Sequence, residues 1–428
     1  MLNQFIKNFK QFKQEQPLSV AYGIDGILTM GAISIAVNNN ALFALRLGAG
    51  DFHLSMLQFI PQIMNLLLLI PVGMLADSLM NKRRLLSIAL TLTGTFFLIA
   101  GASPFISVHA VYFLLFSVAF ANVSNAMTNL SWQAFFPEVV DEGDRNNVLT
   151  FRARMTMIVS LILPLLVGIV LTSIPAHEGK IRAHQVFYIV SAVLLISNAF
   201  HVKRIHATNP TSPKKVNFTE LIDSAKRLTK NKPFILFTAA ILFFHMTWHV
   251  DWTLFFIGQA TYLQMNELML SFTPVVATLM QLISLKFWSR RNARKGVEKG
   301  LLFGILGLAM SPLAIIVSTT LPQGLNIAVF LFIHAIGHLA FANITLNLFQ
   351  CLLNVVDEHN RSFSISVYTC FIMLSNAIMP VLGVALYRGL GGNIDALRLT
   401  FMIVFLSRFV AAGVWILYIR YREQQKNK

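Results

Sequence analysis

Phe120-Ala121-Asn122-Val123-Ser124, followed further on by Val139-Val140-Asp141-Glu142-Gly143-Asp144-Arg145, opens and closes a stretch that the chain uses twice. The second copy opens Phe341-Ala342-Asn343-Ile344-Thr345 and closes Val355-Val356-Asp357-Glu358-His359-Asn360-Arg361. Pro164 and Pro380 keep the same offset as Arg145 and Arg361, so the repeat continues beyond the quoted stretch. Half a chain is far too long a period for a solenoid; it means two homologous halves.

Outward from the repeat, composition sets the solvent. Hydrophobic residues make up 56% of the chain and charged residues 12%, and the mean hydropathy is +0.65. That is more apolar surface than a water-soluble core encloses. Twelve apolar stretches are legible, each of roughly 20 residues, the length a helix needs to cross about 30 Å of hydrocarbon. They fall near 18–39, 54–76, 84–103, 108–134, 151–174, 184–201, 233–257, 267–288, 299–319, 325–350, 363–387 and 397–419. The expected fold is an all-α membrane protein of 12 transmembrane helices in two pseudo-symmetric six-helix bundles. Residues 1–202 form the first bundle, 203–232 a linker with an amphipathic helix, and 233–428 the second bundle.

The net charge of +16 would suggest a nucleic-acid partner were it not for its placement. Lys7, Lys10, Lys13, Lys82 to Arg84, the run from Lys203 to Lys232, Lys286 to Lys299 and the tail from Arg420 fall on one side of the expected membrane. Only Arg46, Lys180, Arg182, Arg388 and Arg398 fall on the other. The positive-inside bias then puts both termini in the cytoplasm, and no nucleic-acid partner is expected. Met1 to Gln16 is polar and Lys-rich, unlike a cleavable signal. Cys351 and Cys370 fall in or beside expected spans, so no disulfide framework is implied.

After the second span comes Gly73-Met74-Leu75-Ala76-Asp77-Ser78-Leu79-Met80-Asn81-Lys82-Arg83-Arg84-Leu85. This resembles the loop signature of the major facilitator superfamily between spans two and three. Gly73, Leu75, Ala76, Asp77, Lys82 and Leu85 match the signature, while Ser78, Met80 and Asn81 depart from it. The resemblance implies a tight cytoplasmic turn in which Gly73, Asp77, Lys82 and Arg83 form a conformational latch, Asp77 meeting basic groups and helix dipoles of a neighbouring helix. In the second half the equivalent loop, Lys286 to Gly296, carries Arg290 where the acid stood, so the halves are not equivalent gates. Phe59-Ile60-Pro61 and Phe272-Thr273-Pro274 fix that correspondence.

Candidate site residues are the polar groups that lipid makes costly. The first span carries Tyr22, Asp25, Thr29, Ala36 and Asn40 at helical spacing, with Asp25 its one carboxylate. A charge at that depth costs about 2.5–3.5 kcal/mol on insertion scales, so it needs a partner, a proton or a wet cavity. Asp25 is therefore either a proton-coupling site or an assembly contact to a neighbouring helix. Asn122, Asn125, Asn129 and Gln133 form one face of span four, and Asn343, Asn347, Gln350 and Asn354 one face of span ten, which suits hydrogen bonding between helices and gate closure. Span five replaces three glycines of the antiporter signature with Ser160, Leu163 and Val167.

Span seven is the least ordinary. His245, Trp248, His249 and Trp252 stand at i, i+3, i+4 and i+7 and share one face. The resemblance implies that spans one, four, seven and ten line a central cavity. An aromatic wall with a few polar groups suits a small organic ligand; dense helix packing is the alternative. His334 and His338 lie a turn apart in span ten, roughly opposite the Asn343 stripe, so both sets face a cavity only if Gly337 lets the helix twist. No carboxylate or cysteine joins the histidines, and no metal site and no cofactor are expected. Asp251 and Arg408 are expected to form a structural ion pair.

The expectation is thus a monomeric, proton-coupled secondary transporter of the major facilitator type in a bacterial inner membrane, working by alternating access on a small organic solute. Substrate contacts are assigned to Tyr22, Asn40, His245, Trp248, His249, Trp252 and His338, and coupling to Asp25. A lipid or drug exporter, a carrier of metal or its chelates, and a sensor without flux are the alternatives. An enzyme is not expected, because no His-Glu-x-x-His, Gly-x-Ser-x-Gly or carboxylate cluster is found.

Overall fold

The computed structural model describes residues 16–78, 81–141, 143–206, 225–356 and 361–426. Among them the regular structure is helical throughout. In the first half lie α1 (Pro17–Ile35), α2 (Asn40–Arg46), α3 (Asp51–Ser78), α4 (Lys82–Gly101), α5 (Ala110–Val139), α6 (Arg145–Ser173) and α7 (His177–Lys203). The second half holds α8 (Lys232–His249), α9 (Trp252–Ile257), α10 (Glu267–Lys295), α11 (Val297–Leu308), α12 (Met310–Ser318), α13 (Leu325–Leu353), α14 (Arg361–Gly389) and α15 (Ile394–Lys426). Eleven helical stretches among the described residues are long and apolar enough to cross a membrane. α3, 28 residues long, stands where the second span is expected. Between α7 and α8 the described residues of the linker are helical at 225–228; Phe218, Leu221 and Ile222 of the expected amphipathic helix lie outside the described residues.

The chain divides into two compact units, Met1–Ala49 with Met64–Val216, and Gly50–Ile63 with Asn217–Lys428. α3 therefore contributes its first residues to the second unit. Each unit repeats one packing scheme. In the first, α1 packs on α6 and α7, and α4 on α5 and α7; in the second, α8 packs on α14 and α15, and α11 on α13 and α15. Large apolar side chains such as Leu67, Ile283, Phe332 and Leu417 stand well exposed, as they do on surfaces solvated by lipid.

Small residues bring α11 and α13 together. A Cβ on Gly307 would lie 2.3 Å from that of Ala340, and one on Gly304 2.6 Å from an Ile344 carbon. Such close approach increases van der Waals contact where lipid offers no hydrophobic drive.

Among the described residues, spans expected to be continuous are broken at three places. α1 stops at Ile35 and resumes as α2 after the tight turn Val37–Asn39; α8 stops at His249 and resumes as α9; α11 stops at Leu308 and resumes as α12. Val37 and Val250 stand at the same offset as Pro61 and Pro274, so the first helix of each half breaks at the repeated position. The third break has a sequence cause. Pro312 lacks the N–H that would bond the carbonyl of Leu308, and the Arg408 guanidinium donates to that carbonyl instead. At the second break Gly383 of α14 comes so near that a Cβ there would lie 1.9 Å from the Val250 carbonyl oxygen.

Candidate functional site

The residues expected to form a latch belong to the first unit. Gly73 and Asp77 fall in the last turns of α3, and their side chains lie outside the described residues. Lys82, at the start of α4, is 2.8 Å from the buried Glu138 carboxylate near the end of α5. Arg83 donates to the carbonyls of Lys203 and Ile205, each at 3.3 Å, where a cation meets the carbonyl end of α7. Glu138 is thus a partner that the loop signature alone does not indicate.

In the first unit Asp25 is 2% exposed and fully engaged. Its Oδ2 accepts from Arg152 Nε of α6 at 3.0 Å and from Trp132 Nε1 of α5 at 3.1 Å. Its Oδ1 accepts from Asn198 Nδ2 of α7 at 2.8 Å. The guanidinium of Arg152 also lies over the Trp132 ring, 4.4 Å from its centre. One carboxylate therefore ties four helices. Asn198 also donates to Thr29 Oγ1 at 3.0 Å, while its own Oδ1 and the Tyr22 hydroxyl are buried without a hydrogen-bond partner. Tyr22 packs edge-on against Trp132 and Phe136. Asn40 accepts from the Tyr188 hydroxyl at the start of α2. Sequence reading missed both Asn198 and Arg152 as partners of Asp25; the one signal for Arg152 is a basic residue at the start of span five.

In the second unit the expected histidine and tryptophan face is one continuous wall across the break between α8 and α9. His245 Nδ1 and His249 Nε2 lie 3.2 Å apart, and His249 Nδ1 lies 3.1 Å from Ser375 Oγ of α14. Trp248 stacks on His245 and on Phe244, and meets Trp252 and Phe341 edge-on. Two cavities flank this wall. One of about 180 Å3 is lined by Trp248, Asp251, Trp252, His334, His338 and Arg408, among others. The other, about 450 Å3, is lined by His245, Trp248, Phe341, Thr345 and Tyr368 with neighbouring apolar groups. Trp248 borders both.

His334 and His338 of α13 lie with their ring centres 4.3 Å apart and both border the smaller cavity. His338 Nδ1 is 3.3 Å from Gln281 Nε2. The asparagine stripe turns the other way: Asn343 and Asn347 are buried and accept from Asn292 Nδ2 of α10 at 3.0 and 3.2 Å. A Cβ on Gly300 of α11 would collide with that amide cluster. Among the described residues no group of three or more His, Cys, Asp or Glu is placed to hold a metal ion.

Asp251 and Arg408 meet at 2.6 Å, both almost wholly buried. The guanidinium also donates from Nε to the Thr247 carbonyl at 3.3 Å and from Nη1 to the Leu308 carbonyl. Arg408 of α15 therefore satisfies acceptors at two helix breaks and a carboxylate at once, the planar five-donor geometry that lysine lacks. The carbonyl contacts could not be read from the sequence, since they depend on where the helices break.

The fold has well-covered likenesses among solved structures. A bacterial homologue of the iron transporter ferroportin, in an inward-facing state, superposes with a TM-score of 0.75 at 12% identity, covering 94% of this chain and 98% of that one. The nucleoside transporter NupG gives 0.65 at 12% identity, over 94% and 99% of the two chains. A bacterial homolog of the human lysosomal transporter Spinster, inward-facing and unoccupied, gives 0.65 at 15% identity, over 94% and 95%. At such identities the likeness is one of fold. Among curated proteins none matches the sequence. The family model of the Major Facilitator Superfamily matches residues 19–353, most of a chain already seen to consist of apolar helices in two units with one packing scheme, and the chain belongs to that superfamily as an integral, multi-pass membrane transporter.

Proposed function

We propose that the protein is a proton-coupled secondary transporter of a small organic solute, with twelve spans when α3 is counted and both termini in the cytoplasm. The observation that carries the substrate assignment is the broken span α8 and α9. Transporters of this type commonly place substrate at discontinuous helices, because a break frees backbone groups and is tolerated in lipid only where protein or a cavity covers it. Here the break falls within the face of His245, Trp248, His249 and Trp252, and two cavities border it.

The chemistry of that wall selects the solute. Two indoles offer π faces and the imidazoles offer hydrogen bonds, whereas the one buried guanidinium nearby is already engaged by Asp251 and two carbonyls. A neutral or cationic amphiphile with a ring fits better than a phosphate or a dicarboxylate. Trp248, Trp252, His245 and His338, which border the two cavities, are the contacts, with His249, buried between His245 and Ser375, holding His245 in place. Tyr22 and Asn40, enclosed by Trp132, Phe136 and Tyr188, keep the α1 and α2 segment in position.

Coupling is assigned to Asp25. Protonating it would cancel the charge that holds Arg152, so α1 would lose its charged tie to α6 in one step, leaving their packing, while the hydrogen bond from Asn198 would persist. The energy of a proton gradient would reach the helices through that loss. A thermal-shift screen of aromatic amines, nucleosides and amino acids on the purified chain identifies the ligand by mass action. Trp248→Ala should abolish the shift with the best ligand. A full shift in that variant would remove the substrate assignment.

A further inference from the structure

The basic linker ends where α8 begins, and a groove of about 430 Å3 opens at that junction. Leu228 and Thr229 before α8, Phe234 and Leu242 on it, and Val367 and Phe371 on α14 are among its lining residues. Asn231 fixes the junction, accepting from the Phe234 amide at 3.1 Å and donating to the Val355 carbonyl at 3.0 Å. The wall is apolar but for two threonines. Thr238 is 6% exposed, borders the groove, and its hydroxyl has no hydrogen-bond partner.

The segment that carries Leu228 and Thr229 differs in character from the wall. Arg227, Lys230 and Lys232 are exposed within a few residues of Leu228 and Phe234. An apolar groove beside exposed positive charge matches one class of molecule that a membrane supplies. Clusters of basic residues flanking a span attract anionic headgroups, and an apolar groove takes an acyl chain on transfer energetics alone.

We propose that this groove is a site for a single anionic phospholipid. One acyl chain lies against Leu228, Phe234, Leu242, Val367 and Phe371, and the phosphate lies on Arg227, Lys230 and Lys232. Thr238 offers its hydroxyl to the ester carbonyl region of the chain entering the groove. The site rests on the chain's being membrane-embedded and is independent of which solute is carried.

Native mass spectrometry of the full chain in detergent tests this with phosphatidylglycerol, with phosphatidylcholine of the same acyl chains, and with glycerol phosphate as the headgroup alone. Phosphatidylglycerol should bind about tenfold more tightly than phosphatidylcholine or better, since each basic residue at the surface adds to the preference. R227Q/K230Q/K232Q, altered only at exposed positions, should bring the two lipids to equal affinity. Val367→Trp should weaken both lipids together, with Thr238→Val as a milder companion should the larger residue compromise folding. Equal binding of the two lipids by the wild type would reduce the site to an apolar groove and overturn the proposal. Competition by glycerol phosphate at matching concentration would make it a phosphate site and overturn it likewise, as would a preference that survives the triple substitution.

Discussion

The break between α1 and α2 and the break between α8 and α9 stand at the same place in the repeat, yet they are closed by different chemistry. In the first unit the repair is neutral. Asn39 Nδ2 donates to the Ile35 carbonyl at 3.1 Å, Ser191 of α7 donates to the Ala32 carbonyl at 3.1 Å, and Asn40 receives the Tyr188 hydroxyl. In the second unit the repair is a buried ion pair, Asp251 with Arg408, reaching in from α15. The first unit keeps its own buried pair, Asp25 with Arg152, away from the break and partly open: the Arg152 side chain is 25% exposed against 1% for Arg408. Duplication preserves where a helix bends; it does not preserve what the bend is made of. Both carboxylates are sealed, Asp25 no less than Asp251, so the difference lies in the arginine: the exposed edge of Arg152 gives water access to one side of its pair, whereas Arg408 closes a fixed joint.

That contrast can be broken in order of expected effect. Arg408→Met leaves Asp251 charged, buried and alone, and should cost about 3–5 kcal/mol of stability, seen as a large fall in the thermal midpoint of the detergent-purified chain. Asp251→Leu combined with Arg408→Met should recover much of that loss; a double variant no better than either single one would mean the two side chains do not act as a pair. Gly383→Ala comes next, because its Cβ would press on the Val250 carbonyl, and overpacking of this kind costs about 1–3 kcal/mol. Arg152→Gln should cost about 2 kcal/mol, the range of hydrogen bonds to a charged group, and a loss as large as that of Arg408→Met would erase the distinction between sealed and open pairs. Asn39→Ala, which removes one neutral bond at the first break, should cost about 1 kcal/mol or less.

How much of this is legible in the sequence follows from range. Apolar length alone brings out the helices, and the repeated Phe120 and Phe341 stretches bring out two units, because both signals are local in the chain. The face of His245, Trp248, His249 and Trp252 is likewise local, a matter of helical spacing. Asp251 and Arg408 are legible as a pair because each is costly in lipid and no other buried charge is near in sequence. The breaks are harder. Val250 and Asp251 carry no glycine or proline, and the discontinuity depends on Gly383 and Arg408 arriving from two other helices. Pro312 is a local signal, though a proline is also tolerated in a kinked span. The engagement of Asp25 is the clearest gap. Burial cost demands a partner for it, but Trp132, Arg152 and Asn198 come from three helices whose packing no spacing rule specifies. The opposed faces of α13, histidines toward a cavity and asparagines toward Asn292, follow from helical geometry and need no twist at Gly337.

Flux into proteoliposomes under an imposed pH gradient tests the central claim most directly, with the solute taken from the thermal-shift screen. Wild type should concentrate the solute in response to the gradient, and Asp25→Asn should lose that response while still binding the solute. If Asp25→Asn concentrates it with the same dependence on the gradient, the carboxylate at the centre of the first unit is a structural tie and does not couple the proton to the solute.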